Sequence, residues 1–121
     1  LIAIDIVEAE IAHKVLAESG VTVDSYHQVD ITDSKAISNL IESLKVASIP
    51  DALVSLAGIV HVGAIQEQSE ESIREVFEVN VIGQTLIAQA FIKQWLATDH
   101  SGNIIFTSSW IDHVPWPSVT P

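Results

Sequence analysis

Four short runs of apolar and β-branched residues recur along the chain: Leu1–Ile4, Val21–Val29, Ala52–Leu56 and Asn103–Thr107. Each is short enough for a strand. The first, third and fourth are apolar without alternation, which suits strands buried on both faces of a parallel sheet. The second is more mixed and fits a place nearer an edge. Helical spacing fills the intervals. Ile11, Ala12, Val15 and Leu16 form one stripe, stopped by Ser19-Gly20. Ile37, Leu40, Ile41 and Leu44 form a second, with Thr32 or Asp33 as its N-cap and Pro50 closing the connection. The longest stripe starts after Ser69 and runs through Ile73, Val76, Phe77, Leu86, Ile87, Ala90, Phe91 and Trp95. Glu70 and Glu71 sit in its first turn, where carboxylates favour the helix dipole. Asn80 and Gly83 fall in its middle and are poor helix residues, so a kink is predicted there. The order β-α-β-α-β-α-β predicts a layered α/β fold with right-handed crossovers.

Composition narrows the functions open to such a fold. The 121 residues are 48% hydrophobic and 17% charged, which is the make-up of a chain that buries a core. Five Lys and Arg stand against sixteen Asp and Glu, for a formal charge of −11. That balance repels phosphate backbones and anionic lipid, so we expect neither nucleic-acid nor membrane binding. No apolar run approaches the roughly 20 residues needed to span a bilayer. Cysteine is absent, which excludes disulfides, thiolate nucleophiles and Cys-based metal sites. Among the five histidines, His13, His27, His61, His100 and His113, no pair has metal-ligand spacing, and no metal site is expected. The chain opens on an apolar run without Met and stops at Thr120-Pro121 in a turn-like stretch. We therefore expect residues 1–121 to be one partial domain, truncated at both ends.

In a parallel sheet, ligands bind beyond the C-terminal ends of the strands. Four places answer that rule. Asp5 ends the first strand, where a carboxylate can accept from adenosine ribose hydroxyls or serve as a turn residue or helix cap. Asp30 closes the second, either toward an adenine amino group or as support for the turn into the next helix. Ala57-Gly58 follows the third, as a close approach for a ligand or a simple turn. Ser108-Ser109 follows the fourth; a hydroxyl there can polarise a carbonyl, but the strained elbow of an acyl-transfer nucleophile is missing. His61, Trp110, His113 and Trp116 lie in loops at the same end and are candidate pocket residues. The apolar face of Leu86, Ile87, Ala90 and Phe91 fits packing on the sheet or against a subunit.

Taken together these positions resemble the short-chain dehydrogenase/reductase family. The resemblance rests on Asp5 after a strand, Val29-Asp30-Ile31-Thr32-Asp33, the segment from Asp51 to Ile59, Val79-Asn80-Val81-Ile82-Gly83, and Gly102 through Ser109, in the family's order. It implies a partial Rossmann-like doubly wound parallel sheet in three α/β/α layers. It implies that Asp5 binds the adenosine ribose with Ile6 beside it in the cofactor site, that Asp30 and the Ile31 backbone hold the adenine, and that Ala57 and Gly58 line the cofactor. Asn80 matches the Asn whose helix break holds a water in the proton relay, and Ser109 the Ser that orients the substrate carbonyl or alcohol. The implied cofactor is NAD rather than NADP, because Asp5 would repel a 2′-phosphate. The implied activity is hydride transfer to or from a small alcohol or ketone, in a cytoplasmic homodimer or homotetramer. Ser55-Leu56 departs from the family's Asn-Asn. The family's Tyr-x-x-x-Lys pair would begin immediately after Pro121, and its glycine-rich phosphate loop precedes Asp5 by most of a βα unit. Tyr26, the only tyrosine, lies outside that motif. Residues 1–121 alone are therefore expected to be inactive. The alternative is a non-catalytic dinucleotide-binding or scaffold protein on the same fold.

Overall fold

The computed structural model describes residues 1–47 and 49–109. Trp110, His113 and Trp116, three of the candidate pocket residues, lie outside them. Four strands and four α-helices follow in chain order among the described residues: β1 (Ile2–Asp5), α1 (Ala9–Glu18), β2 (Ser25–Gln28), α2 (Ser34–Ala47), β3 (Ala52–Ser55), α3 (Glu70–Phe77), α4 (Gln84–Ala97) and β4 (Asn103–Phe106). β1 pairs in parallel with β2, with Ile2 opposite Ser25, and β3 pairs in parallel with β4, with Ala52 opposite Asn103. The described strands thus form two separate two-stranded sheets.

Local chemistry fixes the boundaries. α1 ends in a Schellman turn: Gly20 takes φ +67°, its N–H donates to Ala17, and the Val21 N–H donates to Leu16. That turn consumes the start of the second apolar run, which is why β2 covers only Ser25–Gln28 of the stretch expected from Val21 to Val29. Asp33 caps α2, its Oδ1 accepting from the N–H groups of Lys35 at 2.7 Å and Ala36 at 3.1 Å. Ser69 caps α3 by accepting from the Ser72 N–H at 3.0 Å. The expected break in the long helical pattern takes the form of a π-helical segment, Glu78–Gly83, between α3 and α4. Such segments are inserted into helices at a cost and recur at functional sites.

The core is one cluster. Ile37, Leu40 and Leu44 of α2 meet Ile87, Ala88, Phe91 and Trp95 of α4, together with Leu53 of β3 and Val29 and Ile31 just after β2. The Trp95 indole N–H donates to the Pro50 carbonyl at 2.8 Å, which ties the end of α4 to the start of β3. Of the face Leu86, Ile87, Ala90 and Phe91, Ile87 and Phe91 are buried and the other two pack against the cluster. That face is spent on the fold. Burial of the strands on both faces is not what the structure shows. In β3, Leu53 and Ser55 are buried while Val54 is 52% exposed; in β4, Ile105 is 56% exposed. The pattern was written for two covering layers, and among the described residues α4 covers β3 from one side.

Candidate functional site

The six residues proposed to hold a cofactor converge. Asp5 and Ile6 at the end of β1, Asp30 and Ile31 after β2, and Ala57 and Gly58 after β3 stand at one end of an open cleft of about 1700 Å³ that runs between the two sheets along the length of β1 and β3, with Leu1–Ile4 and Ala52–Leu56 in its walls as well. Glu70, Arg74, Glu75 and Glu78, from α3 and the turn after it, also reach its wall. Much of the acidic run is thus a rim of the cavity as well as a solvated face. Arg74 pairs with Glu70 at 2.8 Å.

Each strand exit is held by short polar contacts. Asp5 does not cap α1. Its Oδ1 accepts from the Val7 N–H at 3.1 Å, a local turn that presents the carboxylate at the strand end. Asp30 serves its own turn, with Oδ1 accepting from the Thr32 N–H at 2.8 Å and from the Thr32 hydroxyl at 2.7 Å. Beyond β3, Asn80 grips the Ile59 peptide from both sides: its Oδ1 accepts from the Ile59 N–H and its amide donates to the Ile59 carbonyl, each at 2.8 Å. A Cβ at Gly58 would stand 3.4 Å from Asn80 Oδ1, an ordinary van der Waals contact, so the Asn80 amide packs directly against this position. The π-helical break brings Asn80 to this loop. It also brings Gly83 against Ile31, where a Cβ would come within 2.9 Å of a side-chain carbon. One segment thereby touches the exits of both β2 and β3.

Sequence reasoning missed Gln84. Its side chain is buried, and its amide donates to the Ala57 carbonyl at 2.6 Å. The available signal was its position on the stripe of Ile87, Ala88, Phe91 and Trp95, where a polar residue needs an internal partner. Ser109 is exposed and does not belong to the cavity wall. His61 is not on that wall either, and pairs with Glu75 at 2.8 Å. Among the described residues no cluster of three or more His, Asp or Glu side chains could hold a metal, and no helix is long and apolar enough to cross a membrane.

Comparison with known proteins bears on the family and the fold. Residues 1–121 match the short chain dehydrogenase family throughout. The short chain dehydrogenase/reductase notP′ of Aspergillus versicolor is 30% identical over 87 residues, or 70% of this chain and 30% of its own length. A short chain dehydrogenase from Bacillus anthracis superposes with a TM-score of 0.86 at 19% identity, covering 98% of this chain and 48% of that one. Another from Leptospira borgpetersenii, solved with bound NAD⁺, gives 0.75 at 25% identity, over 95% of this chain and 53% of that one. ElxO, solved with NADP bound, gives 0.78 at 19% identity, over 97% and 48%. The chain spans about half the length of these structures and less of the curated relative.

Proposed function

The chain belongs to the short-chain dehydrogenase family, and from that premise we propose that the intact protein is an NAD-dependent oxidoreductase acting on a small secondary alcohol or ketone. The observation that carries this reading is that Asp5, Ile6, Asp30, Ile31, Ala57 and Gly58, from three strand exits, share the wall of one cleft between the two sheets. A dinucleotide fits what these groups offer. Asp5 is exposed, and among the described residues only one of its carboxylate oxygens takes a hydrogen bond. The other is available to a ribose diol, and its charge opposes a 2′-phosphate. The backbone from Ala57 to Ile59 is held rigid by Gln84 and Asn80, so the wall along the cofactor is set before binding.

When bound, the nicotinamide supplies the redox chemistry by accepting or donating a hydride. Ser109, exposed just beyond β4, would hydrogen-bond the substrate oxygen and stabilise charge developing on it. Asn80 would act in proton relay through the break in its helix. Its side chain is already committed to Ile59, so any relay contact falls to its backbone. General acid–base chemistry would come from residues outside 1–121. The reading includes a cytoplasmic homodimer or homotetramer with no nucleic-acid, membrane or metal partner. The exposed side of α4, with Ile92 42% and Leu96 78% accessible, offers a surface for association.

The test is turnover of the intact protein with a panel of secondary alcohols and ketones, followed by nicotinamide absorbance with NAD and with NADP. The reading expects NAD-dependent turnover, and none from residues 1–121 alone. Turnover by the 121-residue piece, or a preference for NADP in the intact protein, would contradict it.

A further inference from the structure

The only tyrosine in the chain has no part in the reading above, yet its hydroxyl is spent on the loop that carries Asp5. Tyr26 stands on β2 opposite Ala3 of β1. Its side chain reaches past the end of β1, and its hydroxyl donates to the Val7 carbonyl, with the Asp5 carbonyl 3.4 Å away. Val7 is the residue whose N–H holds the Asp5 carboxylate, at 3.1 Å. A continuous chain of contacts therefore runs from the phenol through one residue to the carboxylate.

The neighbouring contacts have the same direction. The Gln28 amide donates to the Ile6 carbonyl at 3.2 Å, and the Val29 N–H donates to the Asp5 carbonyl at 2.8 Å. Three consecutive carbonyls, those of Asp5, Ile6 and Val7, are thus tethered from β2 and its exit. Ile6 is nevertheless 62% exposed and Val7 38%, so packing does little to fix this loop. The aromatic ring is itself oriented by His13 of α1, edge to face with centroids 5.7 Å apart. Burial first, and then the negative charge of Asp5, push the Tyr26 phenol above the usual tyrosine range, so the hydroxyl remains a donor into alkaline solution.

We propose that Tyr26 is a positioning residue for nucleotide choice: by fixing Val7 it fixes the Asp5 carboxylate where it accepts from a ribose diol and rejects a 2′-phosphate. The proposal rests on the reading of Asp5 as the ribose-binding acid. A fixed carboxylate discriminates because both effects depend on a defined distance. One that swings with its loop loses part of its bonding to NAD and spreads its repulsion of NADP.

The experiment is calorimetric titration of the intact protein with NAD and with NADP, which needs no known substrate. The variants are Tyr26→Phe, Gln28→Leu and Asp5→Ala. Tyr26→Phe keeps the ring against His13 and deletes only the hydroxyl. It is expected to weaken NAD roughly three- to tenfold while leaving NADP unchanged or tighter. Gln28→Leu should move the ratio the same way by less. A general loosening of the fold would weaken both nucleotides alike, and that result overturns the proposal. So does an unchanged NAD-to-NADP ratio in Tyr26→Phe when Asp5→Ala collapses the ratio; the reading of Asp5 then stands without it. If Asp5→Ala itself leaves the ratio untouched, the reading of Asp5 fails and the proposal falls with it.

Discussion

The two halves of the molecule are built to different standards. Around β3 and β4, α2 and α4 close a core in which Ile37, Leu40, Ile87 and Phe91 are each only 3% exposed. Around β1 and β2, α1 buries no residue, and Ile11 and Val15 are 53% and 55% exposed. The first half is held by packing. The second is held by its strand ladder and by discrete polar tethers from Tyr26, Gln28 and Val29 to the loop after β1. Buried apolar area supplies stability, whereas directional hydrogen bonds supply the placement of a charged group. The half that carries Asp5 has the second without much of the first. The halves are joined by Val29 and Ile31, which run from the exit of β2 into the core of the other half, by Ile2 and Ile4 of β1, which pack against that core, and by Gly83, which closes over Ile31.

That contrast can be broken by substitution. The largest effect is expected at α4. Trp95→Ala removes a buried ring and its bond to Pro50, and Phe91→Ala leaves a comparable void; each should cost about 3–5 kcal/mol in urea denaturation of the intact protein. Gly83→Ala comes next. Its new methyl would press on Ile31 and on the Glu78 carbonyl, and a loss of about 1–3 kcal/mol is expected in the same assay. A neutral Gly83→Ala would mean that the two halves are not in register at Ile31. Asn80→Ala releases both hydrogen bonds to Ile59 and should cost about 1–2 kcal/mol, with faster amide exchange at Ile59. The smallest effect is expected at α1, where Val15→Ala should change stability by less than about 0.5 kcal/mol. A loss above about 2 kcal/mol there would mean that protein outside residues 1–121 covers α1, and that the contrast belongs to this part of the chain only.

The alternation of strands and helices was legible because apolar period and stop signals agreed: Gly20 stops α1, Asp33 and Ser69 start α2 and α3, and Pro50 separates α2 from β3. The break in the long helix was legible because Asn80 and Gly83 are poor helix formers in an otherwise apolar stripe. The length of β2 was not, because the Val21 N–H is diverted to close the preceding helix, a choice that residue type alone does not announce. Nor was one-sided exposure at Val54 and Ile105, since an apolar residue carries no mark of whether a covering layer is present. At the site, the residues on strand exits were legible from topology. The supporting contacts of Gln84 and Tyr26 were not, because each reaches a backbone carbonyl at least 19 positions away in sequence.

A nucleotide bound as proposed would lie across the exits of β1, β2 and β3, at that end of the cleft between the two sheets. Hydrogen–deuterium exchange of the intact protein with and without saturating NAD tests this placement directly. Protection is expected at residues 5–7, 30–32 and 57–59, with α1 unchanged. Protection absent from all three exits, or confined to α1, would contradict it.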